Sequence, residues 1–388
     1  MDTVSTHSQQ TSGIGFRKEK HLSICADASR FSVEGGCTGF DSLHFIHDAL
    51  PEIGAEQIDL RTDFLGHTVA APIFISCMTG GSDRGFFANR ELAQAAEEKR
   101  YSVGMGSIRI LFDHPELFEH FHLKALAPDV PVLANIGGAQ IRDEEHGRLF
   151  ELVKSLEVDS LVVHLNPGQE LFQPEGDRDF RGIKDSIARL CEGSPVPIIV
   201  KETGFGIRPG LVSELLARGV RYVDVAGAGG TNWVTVEAYR LPEQEREEPR
   251  EFADWGIPTA LILACLSEHE DRILASGGVR SGLDVAKSIA LGAHAAGLAL
   301  PLIREVVAGG AEAVVRYLDR LENTLRSVLV LTGARTAAEL RTGRFWLDPD
   351  FAGAVAAFQA AEGRINSQPI NPARSARPPG CPDPRRRS

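Results

Sequence analysis

Between Pro72 and Leu300 short apolar runs alternate with helix-like stretches, and they do so eight times. The runs are Ile73–Cys77, Tyr101–Met105, Val130–Ala134, Ser160–Leu165, Pro197–Val200, Val220–Val225, Ile273–Ser276 and Ala295–Leu300. Helical spacing of apolar residues is expected over Phe87–Lys99, Pro115–His122, Asp143–Leu156, Ile183–Cys191, Leu211–Arg218, Thr259–Ser267 and Leu283–Leu291, then on to about Leu331. Strands that alternate with helices imply βαβ units and a parallel sheet. Eight such units over about 230 residues fit a closed (β/α)8 TIM barrel better than an open sheet. The runs lack a clear period of two, as expected for strands buried on both faces. The organisation expected is therefore a mobile 1–15, one domain over 16–366 with the barrel proper at about 72–335, and a Pro- and Arg-rich disordered tail over 367–388. Asp59–Val69 looks like a strand pair around a turn that caps the barrel bottom. Residues 237–254, rich in Glu, Arg and Pro, read as a surface excursion or lid.

A formal net charge of -12 argues against a nucleic-acid or membrane-surface binder, because both need a basic face. It leaves room for a small anion held by a few Arg, Lys and backbone N–H groups. Cys25, Cys37, Cys77, Cys191, Cys265 and Cys381 form no CxxC pair and read as reduced thiols. The polar N-terminus lacks the apolar core of a signal peptide, and no apolar run is long enough to cross a bilayer. A cytoplasmic protein is expected.

In a parallel barrel the loops after the strands line the open mouth, so the residues that end each run are the candidates for chemistry. The most telling run is Leu161–Glu170, LVVHLNPGQE, which passes from Leu161-Val162-Val163 to His164, Asn166, Gln169 and Glu170. An ordinary reading of His164 is a core histidine satisfied by a backbone carbonyl. Gly277-Gly278-Val279-Arg280 lies between a strand and a helix, where glycine admits an anion close to the backbone and the helix N-terminus offers unpaired N–H groups. Leu298 and Ala299 at the eighth strand end complete that phosphate site. Lys201 emerges inward from its strand, which is costly unless it is paired, with Glu202 or Asp224 for example, or bound to a ligand. Cys77, Met78, Thr79, Ser107, Asn135 and Thr231 add small polar groups and open backbone, a set suited to a planar heterocycle. Glu170 is a lone carboxylate, and one carboxylate plus ligand phosphates suits Mg2+. Arg17-Lys18-Glu19-Lys20-His21 is either a solvated charge run or an arm over an anionic substrate. With Arg109 and His164 as further basic groups, that substrate would be a diphosphate.

Taken in order, RKEKH at 17–21, MTGG at 78–81, GS-x-R at 106–109, NIGG at 135–138, HLNPGQE at 164–170, QPEGDRDF at 173–180, VKETGFGI at 200–207, GAGGTNW at 227–233 and GGVRSGLD at 277–284 resemble the type 2, flavin-dependent isopentenyl-diphosphate delta-isomerases. The resemblance covers about residues 15 to 335. It implies a homo-oligomeric TIM barrel, a tetramer or octamer, that binds FMN and Mg2+ and interconverts isopentenyl and dimethylallyl diphosphate. NADPH would reduce the flavin. By the same resemblance Arg17, Lys18, His21, Ser107, Arg109, His164, Asn166 and Gln169 face the substrate. Gln169 contacts the reacting allylic part and Glu170 ligates the metal. Cys77, Met78, Thr79, Ser107, Asn135, Lys201, Thr231, Gly277, Gly278, Arg280, Leu298 and Ala299 face the flavin. Two positions depart from the pattern: Ile108 where Gln is frequent, and Ala226 where Ser commonly precedes the glycine-rich loop. Two other readings use the same scaffold. A 2-hydroxy acid oxidase would need a His beside the Arg near the seventh strand, and Ala275–Arg280 has none. A non-catalytic flavin binder is hinted at only by Ile108 and Ala226.

Overall fold

The computed structural model describes residues 13–143, 146–266 and 271–367. Residues 1–12 and 368–388, which carry most of the expected mobile N-terminus and disordered tail, lie outside the described residues, as does Ser267 of the expected helix 259–267.

Eight parallel strands close into a barrel in the order β7-β8-β1-β2-β3-β4-β5-β6. They are β1 (Ile73–Ile75), β2 (Ser102–Ser107), β3 (Val132–Gly137), β4 (Ser160–Leu165), β5 (Ile198–Glu202), β6 (Tyr222–Asp224), β7 (Ile273–Ala275) and β8 (Ala295–Leu298). The (β/α)8 barrel is therefore the fold. Five helices position the site: α1 (Gly13–Ala26), α2 (Pro167–Phe172), α3 (Trp233–Ala238), α4 (Gly282–Ala290) and α5 (Leu300–Leu331). The last strand stops at Leu298, short of the expected Leu300, because Leu300 already opens α5. The stretch Pro115–His120 is a 3-10 helix; of the expected helix 143–156, Asp143 ends the helix Gly138–Asp143 and His146–Ser155 is helical, with residues 144 and 145 outside the described residues.

Successive strand residues point to opposite faces, and the packing shows which is which. Phe74, Leu133, Val162, Ile199, Tyr222, Leu274 and Ala295 form one buried cluster inside the barrel. Their neighbours, such as Ile73, Ile75, Ala134, Leu161, Val163, Ile198 and Val200, belong to the larger cluster between strands and helices. Both faces are apolar, which is why the alternation is hidden in the sequence. The hairpin Thr62–Phe64 with His67–Val69 turns at Leu65 (φ 55°) and Gly66 (φ 82°), two left-handed residues as a tight hairpin requires. It drives Phe64 and Val69 into the inner cluster, as expected of a bottom cap. A second antiparallel pair, Leu43–Phe45 with Phe345–Leu347, was not foreseen.

The surface excursion expected over 237–254 is anchored at both ends. Its first residues complete α3, Glu237 is fully buried, and Asn232 Nδ2 donates to the carbonyls of Phe252 and Ala253 at 2.8 and 2.9 Å, tying the far end down.

Candidate active site

Two residues above each inner apolar side chain the period of two brings another inward-facing residue: Ser76, Asn135, His164, Lys201, Asp224, Ser276 and Gly297. Neighbouring strands hold several of these in register, with Gly137 beside His164, His164 beside Lys201 and Lys201 beside Asp224. All but Asp224 line an open cavity at the C-terminal mouth.

The cavity has two joined halves, of about 950 and 1500 Å³. One is walled by Thr79, Ala226, Thr231, Ser276, Gly277, Gly278, Arg280, Gly297, Ala299 and Leu300, the other by Arg17, Ser107, Arg109, Asn135, His164, Asn166, Gln169 and Glu170. Lys18, His21, Cys77, Met78, Lys201, Thr203 and Trp233 line both. The expected flavin and diphosphate residues thus fall largely on opposite sides of one junction. Ser107 and Asn135 lie in the polar half. Leu298 faces neither half: it is 1% exposed and packs in the core between strands and helices.

The basic run 17–21 lies on α1, which turns Arg17, Lys18 and His21 to the cavity. Residues 17, 18 and 21 share one face by helical spacing, with Leu22 and Cys25 continuing it along the cavity wall. Lys18 Nζ donates to the carbonyl of Ser107 at 3.1 Å and lies 5.3 Å from the Phe121 ring centre. Burial, helped by the charge of Arg17, brings its pKa down to about 7. Arg17 lies 3.8 Å from Glu175. Arg109 is exposed at the rim and has no ion-pair partner among the described residues.

His164 Nδ1 is 2.9 Å from Asn135 Oδ1, so Nδ1 carries the proton. Burial and the charge of Lys201 hold its pKa at about 3, so the ring is neutral. It therefore presents an acceptor rather than the cation expected from the sequence. Asn166 Nδ2 donates to Gln169 Oε1 at 3.0 Å and to Glu170 Oε1 at 3.2 Å. The Asp177 N–H donates to Glu170 Oε2 at 2.8 Å. Gln169 Nε2 donates in turn to Glu237 Oε1 at 2.9 Å.

Glu237 was not anticipated. It also meets His21 Nε2 at 2.8 Å and accepts from Arg240 Nη1 at 2.5 Å, and Arg240 reaches Glu175 at 2.6 Å. Burial pushes the Glu237 pKa up, but His21, Gln169 and Arg240 outweigh it and hold the carboxylate ionised. Trp233 and Ser276 were missed as well. Asn232, which caps α3 by accepting from the Val234 and Thr235 N–H groups, was the sequence signal that could have placed Trp233 and Glu237 on one helix.

Lys201 is not paired as the ordinary reading required. Its Nζ donates to the Glu202 carbonyl at 2.7 Å, while the Glu202 carboxylate turns away and accepts the N–H groups of Thr203, Gly204, Phe205 and Gly206 at 2.5 to 3.2 Å. The phosphate cradle also differs in detail. The N-terminus of α4 is already satisfied: Ser281 Oγ accepts from the Asp284 N–H, and Asp284 Oδ2 accepts from the Arg280 and Ser281 N–H groups. The open end is that of α5, where Ala299 supplies no side-chain cap and Leu300 lines the cavity. Gly278 (φ 82°) packs so closely that a Cβ would stand 2.2 Å from Thr38 Cγ2. Arg280 donates to Glu34 Oε1 from both Nε and Nη2, at 2.9 and 2.5 Å. Ile108 is fully buried away from the cavity, so the first departure does not touch the site; Ala226 (φ 39°) lines it.

The closed parallel barrel thus carries a glycine-walled pocket and an uncapped eighth-unit helix at its mouth, and residues 169–347 match the family model described as FMN-dependent dehydrogenase. Solved structures of that shape include a lactate oxidase from Pediococcus acidilactici (TM-score 0.63, 16% identity, 85% of this chain and 93% of that one) and a mandelate oxidase with (S)-mandelic acid (TM-score 0.60, 17%, 86% and 97%). At such identity they speak for the fold alone. Much nearer in sequence are the isopentenyl-diphosphate delta-isomerases of Halobacterium salinarum (44% identical; 84% of this chain, 91% of the relative) and Borrelia garinii subsp. bavariensis (41%; 85% and 92%). The chain belongs to the isopentenyl-diphosphate delta-isomerase family.

Proposed function

We propose that this protein interconverts isopentenyl and dimethylallyl diphosphate, with FMN in the glycine-walled half of the cavity and the diphosphate in the polar half. The observation that carries this reading is the junction: the two halves meet at Met78, His21, Lys201 and Trp233, so a short alkene with its diphosphate in one half ends against the other. The residues present fit the cofactor. The uncapped α5 N-terminus and Gly278 suit a phosphate, and Lys201, free of any carboxylate within ion-pair distance among the described residues, is a cation for the electron-rich end of the ring. Thr79, Thr231, Gly277, Arg280 and Ala299 complete that wall, with Cys77 and Met78 at the junction and Ser107 and Asn135 alongside.

Isomerisation adds one proton to the substrate and removes one, without net redox change. Reduced flavin, with NADPH as reductant, supplies the acid–base chemistry that an unactivated alkene demands. The chain's residues bind and orient. Lys18, Arg17, Arg109 and Ser107 hold the diphosphate, His164 and Asn166 wall it, and remote binding energy aligns the reacting carbons. Glu170 keeps spare lone pairs beside its two protein donors and would hold a Mg2+, which would offset the charge of the diphosphate. No group of three or more candidate ligands stands among the described residues, which suits a metal completed by substrate and water rather than a protein cage. Gln169, its amide oriented by Asn166 and Glu237, positions or relays at the allylic carbons. The protein is proposed to act as a homo-oligomer, a tetramer or octamer, in the cytoplasm. Among the described residues no helix is long and apolar enough to cross a membrane.

An anaerobic assay with FMN, Mg2+ and NADPH tests the reading. Isomerisation dependent on all three is expected; no turnover with flavin bound and reduced overturns it. The oxidase alternative has against it the names of relatives about 40% identical over most of the chain.

A further inference from the structure

Helix α2 and the residues that flank it wall the polar half with six polar side chains: Asn166, Gln169, Glu170, Gln173, Glu175 and Asp177. Five of them are partnered. Asn166, Gln169 and Glu170 share the hydrogen bonds described above, Glu175 meets Arg240 and Arg17, and Asp177 accepts from the Asp179 N–H at 2.9 Å and from Arg142 Nη2 at 3.1 Å. Gln173 is the exception. Its backbone is tied on both sides: the N–H donates to the Gln169 carbonyl at 2.8 Å, and the carbonyl accepts from the Gly176 N–H at 2.9 Å. Its side-chain amide has no hydrogen-bond partner among the described residues, although the residue is only 4% exposed. A buried amide left without a partner is costly, and such groups are few in folded proteins. Gln173 follows Glu170 by three residues and Gln169 by four, the spacing that stacks side chains on one face of a helix.

We infer that Gln173 is a further diphosphate-binding residue, its Nε2 donating to the anion from the wall that carries Glu170. The inference rests on the reading of the polar half as the place of the diphosphate. Of the two ends of the amide, the donor is the one such a ligand can use, because its oxygens are acceptors. The cations Arg17, Lys18 and Arg109 come from α1 and from the end of β2. The wall built by α2 brings a carboxylate instead, and its other two amides, of Asn166 and Gln169, are engaged within the wall. Gln173 is the neutral donor that this side can turn to an anion, and it does so without competing with Glu170 for a metal.

Calorimetric titration of the full-length apoprotein with inorganic pyrophosphate, with and without Mg2+, tests it apart from turnover. Without metal, Gln173→Met, which is close in length and has no donor, is expected to weaken binding about 10- to 100-fold, the range for losing a hydrogen bond to a charged group. Gln173→Glu keeps the shape and an acceptor but sets a carboxylate against the anion, so it is expected to weaken binding further; it carries the test if Gln173→Met does not fold. FMN affinity of both variants is expected to match the wild type, because Gln173 does not line the flavin half, and this checks that the cavity is intact. Wild-type pyrophosphate affinity in the folded variants overturns the proposal. So does a deficit that appears only with Mg2+, which would give the amide to the metal. Both outcomes leave the reading of the polar half standing, whereas a wild type that binds no pyrophosphate overturns that reading and this residue with it.

Discussion

Two layers of the barrel interior differ by two residues along each strand and by everything in their chemistry. The lower one, Phe74, Leu133, Val162, Ile199, Tyr222, Leu274 and Ala295, is sealed from below by Phe64 and Val69. The upper one, Ser76, Asn135, His164, Lys201, Asp224, Ser276 and Gly297, opens into the cavity or supports its wall. The strands are the same and the backbone hydrogen bonds continue from one layer to the next. The difference teaches that the lower layer supplies rigidity by close packing, and that the upper layer can carry unpaired polar groups because the lower one keeps the strands from yielding. Stability and binding should therefore separate when single residues of the two layers are changed.

The largest effect is expected at the bottom. Phe64 is 2% exposed and lies 5.3 Å, centre to centre, from the Tyr222 ring. Phe64→Ala should cost about 3–5 kcal/mol, measured by urea denaturation, while the FMN dissociation constant of the folded variant stays within about threefold, under 1 kcal/mol. A comparable loss of flavin affinity would show the layers to be coupled. At the mouth the reverse is expected. Glu170→Gln removes a charge but keeps the shape and the acceptor for the Asp177 N–H. It should lower Mg2+-dependent turnover at least about 100-fold, roughly 2.7 kcal/mol in the barrier, with the denaturation midpoint nearly unchanged.

The same contrast explains what could be read from the chain alone. All eight strands were legible because both faces of a parallel barrel strand are apolar, and the polar residues that end each run marked the mouth. The inner and outer faces were not legible, for the same reason: Leu161, Val162 and Val163 are chemically alike but point out, in and out. Residues 17–21 were read as a solvated charge run or an arm, and not as part of helix α1, because its cavity face is the cationic one, with Arg17, Lys18 and His21 where an amphipathic pattern would place apolar residues. Glu237 was lost in a charged stretch, since its burial depends on His21, 216 positions away, and on Gln169. Leu298 was placed at the flavin for its strand-end position, but it points outward to the helices, and the backbone that follows it opens α5.

A smaller effect should come from pH. Burial first, and then Arg17, lower the Lys18 pKa to about 7 in the free protein. A bound diphosphate raises it, since an adjacent anion favours the ammonium. Between the two values binding takes up a proton at Lys18, so the Lys18 contribution to affinity is flat below pH 7 and falls as pH rises above it, by at most tenfold per unit, about 1.4 kcal/mol. Inorganic pyrophosphate binding followed by calorimetry from pH 6 to about 9, beyond the ordinary range of a buried lysine's onset, should show that break. Lys18→Met should weaken binding and remove the part of the slope that Lys18 causes; an unchanged slope would place the titrating group elsewhere.

The smallest effect tests the two helix ends that meet the mouth. Helix α4 closes its own N-terminus, with Ser281 and Asp284 exchanging hydrogen bonds, whereas α5 leaves its end open behind Ala299. A capped end has its donors spent on the fold, while an open one keeps them for an anion. Ser281→Ala should therefore cost about 1 kcal/mol of stability, as lost caps do, and leave FMN affinity alone, since the proposed phosphate site is at α5 and not at α4. Thermal denaturation with and without FMN reads both at once: the variant's midpoint falls, but the rise on adding FMN matches that of the wild type. A rise clearly smaller in Ser281→Ala would mean that α4, too, holds the phosphate, and that the division between the two ends is wrong.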